Sequence, residues 1–140
     1  MNLQQILLYA HSGWRYVVVI VLLVAIIKYL IGWLAKSKWS NFDTMLNRLT
    51  PISLDIQWLL GIILWIAGTY WIYPRNIAWE HPITLTVAVI VAHFFSARVG
   101  RATTDPDRYR TAFVGYLITG LVVMLGVYTI LGNWNVFGSN

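Results

Sequence analysis

Residues 8 to 30 read LYAHSGWRYVVVIVLLVAIIKYL, and this stretch decides the fold. From Val17 to Ile27 every residue is Val, Ile, Leu or Ala, with polar groups only at the margins. A helix that crosses a bilayer needs about 20 mostly apolar residues, and this run supplies them. Three further stretches have the same character. The expected spans are residues 13–35, 51–73, 82–99 and 110–132 of one 140-residue domain. Backbone groups in lipid must be satisfied within the segment, and no stretch alternates apolar and polar residues as a barrel strand does. The expectation is an all-α, integral membrane four-helix bundle running up and down.

Composition agrees. Hydrophobic residues make up 59% and charged residues 11%, against roughly 45–50% and 25% in soluble domains. The eight Trp and eight Tyr suit membrane–water interfaces, where amphipathic rings are favoured. The chain has no cysteine, which excludes disulfides, iron–sulfur ligation and thiolate catalysis. The net charge of +5 is dispersed at the ends of apolar runs and does not point to nucleic acid. The start, MNLQQILLYAHSG, lacks a basic region and a small-residue cleavage site, so no removable signal peptide is expected.

Thr50–Pro51, Glu80–His81–Pro82 and Asp105–Pro106–Asp107 read as helix starts, a cap followed by proline in the first turn. The connections are short, so successive helices should be antiparallel neighbours, with the third diagonal to the first. Lys36, Lys38, Arg48, Arg98, Arg101, Arg108 and Arg110 lie on the two long connections, whereas only Arg15 and Arg75 lie on the other side. This bias places the connections in the cytoplasm and both termini on the outer, periplasmic side of a bacterial inner membrane. Aromatic residues mark both levels: Trp14, Tyr16, Tyr70, Trp71, Tyr73, Trp79 and Trp134 outside, Trp33, Trp39, Trp58, Tyr109 and Tyr116 inside.

That topology sorts the polar residues into two layers. The outer one holds His11, Arg15, Glu80 and His81, the inner one Lys28, Asp55, Gln57, His93 and Arg98. Ionisable groups within spans are costly and ordinarily face a partner inside the bundle. His11 and Arg15 are four apart and share a helix face. With His81 opposite, two imidazoles would suit a six-coordinate haem b, and Arg15 would meet a propionate. The alternative is interfacial: His81 caps its helix, pushed out of helical geometry by Pro82, while Arg15 snorkels to phosphates. Asp55 and His93 are expected at one level, as a pair serving a metal, haem, quinone or proton path, or as a hydrogen bond locking two helices. Lys28 snorkels inward or pairs with Asp55. His81 and His93 are twelve apart and so differ by about 120° around their helix, which disfavours two stacked haems. Gly61, Gly68, Gly115, Gly120 and Gly126 offer small surfaces for helix contact. Hydrolase triads, phosphate loops and dense metal clusters do not appear, and nothing supports independent catalysis.

The stretches HSGWRYVVVIVLLVAI, LDIQWLLGIILW, EHP and AHFFSARVGRA resemble a family of short bacterial four-helix membrane proteins sometimes labelled cytochrome b-like. The resemblance covers most of the chain. It implies a histidine opening the first helix and Glu-His opening the third, which His11, Glu80 and His81 match. The second helix departs from the pattern, carrying Asp55 where the family has a histidine, and His93 is the candidate to compensate.

The first expectation for function is a small accessory subunit of a larger respiratory or photosynthetic electron-transfer complex, embedded in lipid beside larger subunits and bordering a quinone or haem site. The second is an autonomous b-type cytochrome with His11 and His81 as ligands. The third is a small proton- or solute-conducting protein centred on Asp55 and His93, which the lack of inverted repeats weakens.

Overall fold

The structure, a computed structural model, describes residues 1–132. Trp134, expected in the outer aromatic belt, lies outside them. Four helices carry the fold: α1 Leu3–Leu34, α2 Asn41–Ala67, α3 His81–Arg101 and α4 Asp105–Leu131. Each is long and apolar enough to cross a membrane, α3 being counted together with the turn before it. Helix α1 packs against α2 and α4, and α3 against the same two, which leaves α1–α3 and α2–α4 as diagonals. This is the expected up-down arrangement.

The helix boundaries correct the expectation. Helix α1 begins at Leu3 rather than residue 13, because Asn2 and Gln5 form a reciprocal capping box. Helix α2 begins at Asn41 rather than residue 51, because Ser40 and Asp43 form a second one. Thr50 therefore caps nothing, and its hydroxyl donates to Leu46 O at 2.7 Å. Helix α2 also stops at Ala67, followed by a 3₁₀ turn at Tyr70–Ile72. Thr104, not Asp105, caps α4.

Pro51 thus sits inside α2, and a proline there leaves the carbonyl four residues back without its helical donor. That carbonyl belongs to Asn47. It accepts instead from Ser96 Oγ of α3 at 3.0 Å and Tyr116 Oη of α4 at 2.9 Å. Pro82 repeats the device. The turn before α3, Asn76–Glu80, is π-helical, and His81 N donates to Asn76 O across it. The carbonyl four residues before Pro82, Ala78 O, accepts from Trp65 Nε1 of α2 at 2.8 Å. His81 is helical (φ −62°, ψ −55°), so Pro82 does not displace it. Each proline exchanges an intrahelical bond for a bond between helices.

Fully buried Ala25, Ala88, Ala92 and Ala112 bring the backbones close. Tyr29, Tyr109 and Tyr116 are buried among them. Tyr109 and Tyr116 are therefore core residues, not the interfacial anchors their positions suggested. The outward faces are apolar, as Ile20, Ile27, Ile31, Leu59, Ile90 and Leu121 show.

Candidate functional site

At the N-terminal end of the bundle the four helices stand apart around a cavity of about 280 Å³. Its wall is mostly apolar. The polar groups that reach it include His11 and Arg15 from α1, Gln57 from α2 and His81 from α3. His11 and Arg15 arrive together because they are one turn apart, as expected. His81 arrives from the diagonal helix, its backbone held in place by the π turn. The His11 and His81 rings are 6.2 Å apart between centroids and nearly perpendicular, at 84°.

Backbone contacts orient both imidazoles. His81 Nδ1 lies 2.7 Å from Gly126 O on α4. A carbonyl only accepts, so Nδ1 carries the proton and Nε2 is left as the basic nitrogen, an arrangement typical of metal-binding histidines. His11 rests on Gly61 of α2, where an added Cβ would stand 2.9 Å from its Cε1. Gln57 Nε2 donates to His11 O at 3.0 Å and lies 3.3–3.4 Å from the two ring nitrogens. Gln57, expected at the inner level beside Asp55, thus belongs to the His11 level. The ten extra residues at the start of α2 account for the displacement, and Trp58 moves with it to the cavity wall.

Two polar atoms here are orphans. Among the described residues, Arg15 Nε and Gln57 Oε1 are buried without a hydrogen-bond partner. One is a donor and one an acceptor, and both belong to residues that line the cavity. Arg15 does not simply reach outward: its Nη2 meets Tyr16 Oη at 3.3 Å while its Nε stays inside. Buried polar atoms without partners are rare and call for a ligand or water.

Asp55 and His93 meet as expected. His93 Nε2 lies 2.8 Å from Asp55 Oδ1 and 3.0 Å from Oδ2. Their location differs from the expectation, because the two side chains are 43% and 52% exposed on the outside of the α2–α3 seam. Neither lines the cavity. His93 is therefore not brought to His11 and His81, and does not stand in for a histidine on α2. Lys28 pairs with Asp43 at 2.7 Å, not with Asp55. Asp43, read from the sequence as part of a connection, is fully buried in the first turn of α2.

No group of three or more His, Cys, Asp or Glu side chains placed to hold a metal ion occurs among the described residues. Two imidazoles can supply the axial ligands of a cofactor that brings its own equatorial ones, or can hydrogen-bond a carbonyl or hydroxyl head group. In comparisons with known proteins, no family model, curated protein or solved structure matches this chain.

Proposed function

We propose that this chain is a small electron-transfer subunit of the bacterial inner membrane, working within a larger respiratory or photosynthetic assembly and holding haem b between His11 and His81. The observation that carries the reading is the pair of imidazoles brought edge to face at the wall of a largely apolar cavity. His11 and His81 would hold the haem iron through their ring nitrogens. His81 supports the role through its contact with α4, since Nδ1–H to Gly126 O fixes the tautomer that leaves Nε2 free. Gly61 on α2 makes room for the His11 ring, and Gly126 on α4, whose carbonyl holds His81, makes room for Leu85. Haem would supply one-electron redox chemistry. The protein would supply ligation, an apolar enclosure and, at Arg15, a cation for a propionate.

The charge bias supports a topology with the Lys28 end cytoplasmic and both termini periplasmic. The cavity then lies in the outer leaflet, where it can exchange electrons with a partner subunit at the periplasmic surface. The resemblance at His11 and His81 points to the same site, while Glu80 lies outside the cavity and meets Arg75 Nε at 3.4 Å.

A second reading rests on Gln57 Oε1, which needs a donor that haem lacks. A quinol hydroxyl is such a donor, and the same cavity would seat its head group beside the imidazoles. A reduced-minus-oxidised visible spectrum of the protein purified from native membranes decides between them. Haem reading: a b-type band that His11→Ala and His81→Ala each abolish. Quinone in the extract without haem bands would establish the second reading, and absence of both would overturn the site.

A further inference from the structure

Asp55 stands midway along α2, between Asp43 near one end and Ala67 at the other. With the bundle in a bilayer, the Asp55–His93 pair therefore lies near mid-depth, and it is about half exposed on the outside of the bundle. That is a costly place for ionisable groups, which inside membranes ordinarily face protein or water. The pair satisfies itself only in part. The Asp55 carboxylate has unused acceptor positions, and His93 Nδ1 has no hydrogen bond among the described residues, since both contacts run through Nε2.

From this geometry we infer that a second copy of this chain packs against the α2–α3 face, the Asp55–His93 pair of each copy completing that of the other. The argument is one of complementarity and symmetry. A partner at this face must bring a donor and an acceptor to the same depth. A second copy brings both, because Asp55 and His93 are hydrogen-bonded and so already share one depth. The basic connections orient both copies the same way, so they are related by a two-fold axis along the membrane normal. Such an axis preserves depth and carries His93 Nδ1 of one copy toward the Asp55 carboxylate of the other. The result is a ring of two carboxylates and two imidazolium rings, each imidazolium donating from Nε2 to one carboxylate and from Nδ1 to the other.

The surrounding face is shaped for contact. On the same seam, toward the N-terminal end, Ile62, Trp65, Trp79, Ile83 and Val87 line an apolar groove of about 270 Å³. Leu59 and Ile90 flank the pair and are more than half exposed. The inference rests on membrane placement and is independent of what fills the cavity.

The chain has no cysteine, so single cysteines report contacts cleanly. Ile90→Cys and Leu59→Cys, oxidised in native membranes, are expected to give disulfide-linked dimers, while Ile20→Cys on the exposed face of α1 gives none. Asp55→Leu combined with His93→Leu is expected to weaken dimerisation about tenfold, the effect of a pair of interhelical hydrogen bonds in lipid. If both seam cysteines link no better than Ile20→Cys, or link only to a chain of different mass, the inference is overturned. The cysteine result stands even where the double leucine variant fails to fold.

Discussion

The two ends of this bundle treat polar groups in opposite ways. At the Lys28 end, the fully buried Asp43 carboxylate receives Lys28 Nζ and Tyr109 Oη, each at 2.7 Å, and Ser40 N and Oγ at 2.9 and 2.8 Å. Its backbone carbonyl takes Tyr29 Oη at 2.8 Å. Around this knot Trp39 stacks on Tyr29 with centroids 5.4 Å apart. At the N-terminal end, four polar side chains surround a void and leave a buried donor and a buried acceptor unmet. The first end is finished as a structure. The second leaves two polar atoms for a ligand or water to meet. Hydrogen-bond completeness separates the two ends.

Breaking the finished end should have the largest effect. Asp43→Ala removes the acceptor for Lys28, Tyr109 and Ser40 together. Taking one partner from a buried ion pair costs roughly 3–5 kcal/mol. The low end of that range is expected, because the Lys28 side chain is 36% exposed and can reach solvent. Denaturant titration in detergent micelles should show the loss.

Tyr116→Phe tests a single tie beside that knot, where its ring stacks on Tyr29. Its hydroxyl bonds both Asn47 O and Asn47 Oδ1, and the substitution should cost about 1–2 kcal/mol. Ser96 still serves the carbonyl that Pro51 freed, which keeps the effect below that of Asp43→Ala.

The cavity should respond with little or no loss. Gln57→Leu removes one hydrogen bond to His11 O and, with it, one unsatisfied buried acceptor. These offset, so the ligand-free protein should stay within about 1 kcal/mol of wild type. Under the quinol reading, the same substitution weakens binding of the head group. A large destabilisation without ligand would mean that the cavity is as finished as the Asp43 knot.

The sequence made the four apolar runs, their order and their antiparallel pairing readable, because length and apolarity sufficient to cross a membrane are local properties of each segment. His11, Arg15 and His81 were readable too, since one follows from helical spacing and the other from topology. Helix starts were not. Thr50–Pro51 has the form of a start, yet Ser40 and Asp43 complete a reciprocal cap ten residues earlier, and Pro51 is tolerated because Ser96 and Tyr116 take over Asn47 O. Those donors come from two other helices, so no local pattern announces them. The same misplaced start hid Asp43 as the partner of Lys28 and set Gln57 at the wrong level. For Asp55 and His93 the pairing was legible, but not the side of the helices it occupies, which depends on how α2 and α3 rotate against their neighbours.

His11 and His81 are proposed to form a ligand site that the fold does not need for its own stability. Haem titration into ligand-free protein, followed in the Soret region, tests this most directly when wild type, His81→Ala and Tyr116→Phe are compared. Saturable, stoichiometric binding by wild type and Tyr116→Phe, with none by a normally folded His81→Ala, is the predicted result. Equal binding by all three, or none by wild type, would contradict it.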